Sequence, residues 1–415
     1  MSGAITVRPA VGSRVELTVG EVAHGGWCVA RLDEAFVVFV RHALPGERVV
    51  AQITQVTAKF ARADAVEVRD PAPARVSPPC PYARPAGCGG CDWQHASLPA
   101  QRELKAQVIS QQLRRLAGLD ADVTVESLSE EARAGDPGEE TGLGWRTRVR
   151  FAVDRAGHAG LRAHRSHEVV RVSDCLIAHP EVTDAEVTRQ SWRGATAVVV
   201  AVAPASGERA IMVEGQPRRP VKSPRFLTQH AAGRDWRVAA SGFWQVHPAA
   251  ADTLATAVLE ALRPRSGDSA LDLYCGAGLF AGVLAEAVGQ AGTVIAVEQD
   301  QAAVADARHN LRGTGWARVH RGDAAEVIGR IGTGDARIAV ADPPRTGLPP
   351  ALIDLLAAAP GLERIGYASC DPATLARDLK LFGQRGWHLA GLRAFDAFPM
   401  THHVEALATL ARPAG

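Results

Sequence analysis

The sequence predicts an α/β protein in three parts: a small β-barrel at residues 1–70, a β-rich central segment at 71–240, and an open, mostly parallel sheet with helices at 241–415. Three observations carry this reading. From Ser269 onward, apolar strand-like runs alternate with helical ones, the pattern of a doubly wound, Rossmann-like sheet. Between residues 12 and 70, short alternating runs are separated by Gly and Pro turns, as in an OB-like barrel. Between them, PAPARVSPP at 71–79 reads as a Pro-rich linker.

A chain of 415 residues can bury two or three separate cores. Hydrophobic residues at 47% and charged ones at 22% are ordinary for a globular protein, and a net charge of +1 makes no argument for a nucleic-acid partner by itself. The longest apolar stretches, such as 196–205, fall short of the roughly 20 residues that span a bilayer. The N-terminus lacks an apolar signal core, so a cytoplasmic protein with no membrane partner is expected. Seven cysteines in such a chain argue against a disulfide framework.

In the barrel, Val15, Leu17 and Val19, then AFVVFV at 35–40, then Val49, Ala51 and Ile53 alternate. Barrels of this size often bind oligonucleotides, although any small β-domain would give the same pattern. Next, CPYARPAGCGGCDWQH sets Cys80, Cys88 and Cys91 close together, with two glycines inside the tighter pair. A C-x2-C turn lets two thiolates reach one metal centre, and Cys175 could complete a four-thiolate site for zinc or an iron–sulfur cluster. Residues 98–119 carry helical spacing with a basic face, and 127–142 form an acidic loop. Residues 144–171 hold seven Arg against Asp154 and Glu168, a local excess of five positive charges that suits either a solvated face or phosphate contact. Residues 190–240 read as further strands.

In the C-terminal part, the turn DLYCGAGLF puts Gly276 and Gly278 after the first strand. Glu298 ends the second strand, where an acidic residue can hold ribose hydroxyls. Asp323 follows the third strand and could meet an adenine ring, and Asp342-Pro-Pro ends the fourth. In this order they favour S-adenosylmethionine over a nicotinamide cofactor, and hence a class I methyltransferase. Cys370, in YASCDPATLARDL, sits where a buried strand would give way to a helix. A free Cys is usually a small buried residue, so its position alone favours core over nucleophile.

The chain resembles the RNA 5-methyluridine methyltransferases over nearly its whole length. The barrel is similar to a TRAM domain, and the cysteine run with Cys175 resembles the family's 4Fe–4S site, zinc being the less expected metal. FWQVHP, DLYCGAGLF, VEQD, DPPR, ASCDP and FPMTHHVEALA follow in the family's order. The resemblance implies methyl transfer to C5 of a uridine in ribosomal or transfer RNA. It also implies Gln245, Tyr274, Glu298, Asp323 and Asp342 around cofactor and uracil, Cys370 as nucleophile and Glu405 as base. Three departures stand out: a seven-residue gap between the first two cysteines, Leu279 in place of Asn, and Asp371 after the nucleophile in place of Asn. A negative charge beside Cys370 would raise its pKa and call for compensation by Arg345 or the cofactor's sulfonium.

The implied chemistry suits these residue types. Uracil C5 is too poor a nucleophile to take a methyl group until a thiolate adds to C6 and pushes electron density onto C5. A base must then remove the C5 proton before the thiol can leave. His402 and His403 are rivals to Glu405 in that role. The target base must leave its stack, and Phe243 or Trp244 could support it or simply pack. Two alternatives remain at this level: an RNA-binding or assembly protein with a vestigial catalytic domain, and an exocyclic-amine methyltransferase built on Asp342-Pro-Pro. Nothing points to an obligate protein partner.

Overall fold

The computed structural model describes residues 8–33, 36–128, 141–218 and 221–412. Strands β1 (Arg14–Ala23), β2 (Trp27–Leu32), β3 (Phe36–Arg41), β4 (Arg48–Val56) and β5 (Phe60–Asp70) close into a barrel in the order β1-β2-β3-β5-β4. The period-two pattern closes it: Leu17, Val19, Val38, Val40, Val49, Ala51 and Ile53 are buried, while Glu16 and Thr18 face water. Residues 71–79 are not the free tether their prolines suggest. Glu47 is fully buried, and its carboxylate takes the guanidinium of Arg75 and the N–H groups of Leu44 and Ala72. A buried carboxylate is tolerated only with such partners, so the segment is bound to the barrel wall.

Helix α1 (Leu98–Gln112) runs on through a wider turn to Ala117 and stops at Gly118, whose φ of 68° a residue without a Cβ adopts most readily. Its expected basic face is only partly outside. Lys105 is fully buried, its ammonium on the carboxylate of Asp396 and the carbonyl of Phe398. Strand β6 (Val125–Ser127) follows. Most of the predicted acidic loop, 129–140, lies outside the described residues.

The central part holds β7 (Arg148–Val153), β8 (Ala159–Arg162), β9 (Val169–Val170), the single turn α2 (Pro180–Thr183), β10 (Ala195–Ala203) and β11 (Glu208–Gly215). Its sheet runs β11-β10-β7-β8-β9, and β12 (Phe226–Ala231) and β13 (Arg234–Ala239) form a separate hairpin. By the strand register Arg148, Arg150 and Arg162 share one face of this sheet, but part of that charge is already partnered. Arg150 pairs with Glu214 and Arg171 with Asp154, and Arg148 donates to the carbonyls of Ala240 and Gly242. Arg155, Arg162 and Arg165 remain exposed.

The last part contains α3 (Ala250–Leu262), β14 (Ser269–Leu273), α4 (Leu279–Val288), β15 (Thr293–Glu298), α5 (Gln301–Asn310), β16 (Ala317–Arg321), α6 (Ala324–Ile331), β17 (Ile338–Ala341), α7 (Pro350–Ala358), β18 (Arg364–Ser369), α8 (Pro372–Gly383), β19 (His388–Asp396) and β20 (Glu405–Ala411). The sheet order is β16-β15-β14-β17-β18-β20-β19-β6, with β14 to β18 parallel and β20 antiparallel to both neighbours. The edge strand β6 comes from outside the C-terminal region and pairs parallel to β19. One face of the sheet is covered by α6, α7 and α8 through Ile328, Leu352, Leu356, Leu375 and Phe382. The other is covered by α3, α4 and the β12–β13 hairpin through Val258, Leu284 and Trp236. Among the described residues no helix is long and apolar enough to cross a membrane.

Candidate active site

Ser369 ends β18 buried, and Cys370 follows half-buried. The chain turns there because Asp371 caps α8, its carboxylate accepting from the N–H of Thr374 at 2.9 Å, with Pro372 at the first helical position. The other carboxylate oxygen of Asp371 lies 3.2 Å from Nε2 of His24, in the turn between β1 and β2. These bonds hold Asp371 well below the usual carboxylate range. The carboxylate beside the thiol is thus turned onto His24 and the first turn of its own helix. Burial pushes Cys370 up to about 11, Glu405 and Asp342 add to the rise, and Arg345 opposes it.

Glu405 opens β20 opposite Phe395 and is buried. Asp342, at the end of β17, is partly exposed as a residue but has a carboxyl shielded from water, which raises it to about 6. Burial and the proximity of Asp342 lift Glu405 well above the ordinary glutamate value. Three strand ends distant in sequence thus bring Cys370, Asp342 and Glu405 within electrostatic reach of one another. Arg345 is fixed by its carbonyl, which accepts from Thr374 Oγ1 at 2.9 Å, and its Nη2 lies 3.3 Å from Nε2 of His403. The loop is sealed onto α8 at Gly347, where φ is 75° and a Cβ would collide with Thr374 and Asp378. Burial, then His402 and Arg345, lower His403 to about 3, so its imidazole stays neutral and is a weak proton acceptor beside Glu405.

At the cofactor loop, Tyr274, Gly276 and Gly278 all have positive φ, at 66°, 53° and 95°, and Gly278 caps α4. A Cβ on Gly276 would meet nothing within 4 Å, so the loop borders open space. Glu298 accepts from the N–H groups of Gly276 and Asp300, and Asp323 caps α6 through the N–H groups of Ala325 and Glu326. Leu279 is buried as the first residue of α4. Gln245 lies between β13 and α3 beside Val246, which packs with Trp145 and Phe398. The Phe243/Trp244 ambiguity resolves into two environments. Trp244 packs on Trp236, and Phe243 is 68% exposed on a turn pinned by Arg148.

Cys80, Cys88, Cys91 and Cys175 line a single cavity of about 40 Å³. Gln94 Nε2 donates to Cys91 Sγ at 3.1 Å and the N–H of Gly90 to Cys88 Sγ at 3.4 Å. The long first gap curls up through turns closed by Cys88 N–H on the carbonyl of Tyr82, and a Cβ on Gly87 would collide with that same carbonyl. Burial raises the Cys175 thiol to about 11. Among the described residues no three His, Cys, Asp or Glu side chains stand in an arrangement able to hold a metal ion. The four cysteines fit a thiolate-bound group in residue type and border one cavity, and their present positions are those of free thiols.

Residues 8–66 match the family described as TRAM domain, residues 335–413 that described as tRNA (Uracil-5-)-methyltransferase, and residues 225–345 that described as protein-L-isoaspartate(D-aspartate) O-methyltransferase. The second match spans Cys370 and Glu405; the third contains neither. An RNA methyltransferase of Streptomyces avermitilis is 46% identical, the alignment covering 96% of this chain and 98% of the relative. The chain belongs to the RNA methyltransferases.

As such it is an S-adenosylmethionine-dependent enzyme. An RNA methyltransferase of Bifidobacterium longum is 33% identical over 96% of this chain and 97% of the relative. A 23S rRNA (uracil(1939)-C(5))-methyltransferase of a Shewanella species is 29% identical over 95% of each. The tRNA (uracil-54, C5)-methyltransferase of Pyrococcus abyssi, solved with S-adenosyl-L-homocysteine, has a TM-score of 0.70 at 21% identity, over 95% of this chain and 99% of that one, and shares the fold.

In this RNA methyltransferase, sequence reasoning missed two buried aspartates. Asp378 accepts from Leu348 N–H and Tyr367 Oη and holds the Arg345 loop to α8. Asp272 lies under the glycine loop, one oxygen accepting from Ala281 N–H and the other without a partner, and burial raises it to about 8. A charged residue inside the otherwise apolar run SALDL was the available signal for Asp272.

Proposed function

We propose that this methyltransferase transfers a methyl group from S-adenosylmethionine to C5 of a uridine in ribosomal or transfer RNA, with Cys370 adding to C6 of the uracil and Glu405 removing the C5 proton. The observation that carries the reading is the mutual influence of Cys370, Asp342 and Glu405 around Arg345. In the chain alone the thiol is protonated at neutral pH, and Arg345 is the residue that favours the thiolate. S-adenosylmethionine, when bound, supplies the methyl electrophile and a positive sulfonium charge. Cys370 Sγ forms a bond to C6, and the electron pair moves to C5 and O4. Once C5 carries the methyl and the donor's sulfur has left as a neutral thioether, a carboxylate at Glu405 takes the remaining C5 proton, the C–H pair restores the C5–C6 double bond, and the C6–S bond breaks to release Cys370 as thiolate. A glutamate with a raised pKa is well matched to that step.

Gly276 and Gly278 would let the backbone approach the cofactor, Glu298 and Asp323 would face its ribose and adenine, and Gln245, Tyr274 and Asp342 would line the space between cofactor and uracil. Asp272, shielded and short of one partner, would steady the glycine loop. Cys80, Cys88, Cys91 and Cys175 would hold a 4Fe–4S cluster in preference to zinc, as a structural group that draws the cysteine loop to the residues around Cys175. The barrel and the exposed Arg155, Arg162 and Arg165 would meet RNA phosphates.

The test combines trapping with mapping. Wild-type enzyme with 5-fluorouridine RNA should give a covalent protein–RNA species that Cys370→Ala does not form. Glu405→Gln should stall after methyl transfer and retain the methylated RNA covalently. Mass spectrometry of nucleosides from cells with and without the gene should show loss of 5-methyluridine. Normal RNA methylation by Cys370→Ala would support an exocyclic-amine methyltransferase instead, and unchanged nucleosides a vestigial domain.

A further inference from the structure

The cysteine loop reaches the loop before Glu405. Cys91 is followed by Asp92 and Trp93, whose N–H groups both donate to the carbonyl of Met400 at 3.0 Å. Asp92 is buried, and its Oδ2 accepts from the backbone N–H of His402 at 3.1 Å and lies 2.6 Å from Nδ1 of the same residue. Gly26 of the barrel closes over this pair, since a Cβ there would stand 3.1 Å from both side chains. Gln101 of α1 takes the N–H of Met400 at 2.8 Å. The segment that delivers Glu405 to β20 is thus held by the cysteine loop and α1. His403, between His402 and Glu405, has its ring 4.0 Å from that of His402 and its Nε2 3.3 Å from Arg345.

We propose that Asp92 is a positioning residue for the methylation reaction: by gripping His402 it fixes residues 400–404 and so sets the place of Glu405, tying proton removal to the folded state of the cysteine loop. The inference rests on Glu405 being the base. One carboxylate oxygen serves a backbone N–H and an imidazole at once, which fixes both the path of the loop and the ring that His403 leans on. No bond to a metal is needed for this link; it runs through protein groups alone.

Full-length Asp92→Ala, His402→Ala and the double variant are compared with wild type and Glu405→Gln on uridine RNA and on 5-fluorouridine RNA. Asp92→Ala should lower kcat by about 10- to 100-fold, because misplacing a reacting group by about 1 Å costs up to about 10²-fold. KM for RNA should stay within about twofold. On uridine RNA the variant should accumulate a covalent species carrying the new methyl group, as Glu405→Gln does. Adduct formation on 5-fluorouridine RNA, which does not require the base, should stay near the wild-type rate. The double variant should be no worse than either single one, and bound iron per chain should match wild type. Equal slowing of both adduct formation and methylation, with no trapped methylated species, would overturn the proposal, as would wild-type turnover. If Asp92→Ala does not fold, His402→Ala removes the imidazole bond while keeping the backbone one, and should show the same pattern with a smaller fall in kcat. Absence of any adduct with wild type removes the covalent reading, and this inference falls with it.

Discussion

Asp371 is the neighbour of Cys370 in sequence, yet its carboxylate is bonded to His24 of the barrel at 3.2 Å and to the first turn of its own helix. Its two oxygens are turned to those partners. Asp371→Asn keeps a side chain that can cap a helix and removes only the charge. The pH midpoint for Cys370 adduct formation should therefore move by less than about half a pKa unit, measured as the rate of 5-fluorouridine adduct formation against pH. A larger downward shift would mean that Asp371 does act on the thiol.

Arg345 is the contrasting case. It is the cation that pulls against a thiol pushed up to about 11 by burial and Glu405. Arg345→Ala should raise Cys370 further, so at any pH below that value less thiolate is present and the rising limb of the same profile moves to higher pH. Arg345→Lys should recover part of the shift. An unmoved limb in Arg345→Ala would remove the guanidinium from this role.

Four histidines are held neutral by burial: His42 at about 3, His95 at about 4, His164 at about 4 and His403 at about 3. Each folded value lies below the ordinary 6.5, so the unfolded chain binds protons first as pH falls. Stability from this source is whole above about 6.5 and drains away from there toward 4. Each histidine can contribute a slope of up to about 1.4 kcal/mol per pH unit. Urea midpoints at pH 7.5, 6 and 5 should drop steadily, and a flat response across that range would sink the account.

Lys105 and Asp396 form a fully buried ion pair joining α1 to the end of β19. Lys105→Met strands the carboxylate, and breaking such a pair costs about 3–5 kcal/mol. Adding Asp396→Leu should restore much of that loss. If the single variant is within about 1 kcal/mol of wild type by denaturant unfolding, the pair contributes little.

What the sequence revealed is what local pattern encodes. Strand and helix alternation after Ser269, the turn at Gly276 and Gly278, and the barrel's period of two follow from residues close in the chain, and they fold as read. The four cysteines line one cavity because a C-x2-C turn and a single distant thiol leave few other pairings. What stayed hidden depends on partner choice across long separations. Nothing near Asp371 announces His24, and nothing in PAPARVSPP announces that Glu47 needs Arg75. The Arg run from 144 to 171 looks one-sided only while Glu214 and the carbonyls of Ala240 and Gly242 are out of view. Likewise, the grip of Asp92 on His402 joins a segment read as metal-binding to one read as catalytic.

The edge strand β6 sets an order of events during synthesis. Val125 pairs with Ala394, so a segment made early finds its place only when nearly the whole chain is available. The barrel contains all of its own strands and can close as it leaves the ribosome, whereas the catalytic sheet waits for β19 and β20. Glu405 arrives with those last strands. A nascent chain can therefore complete its barrel well before Glu405 has a sheet to stand in.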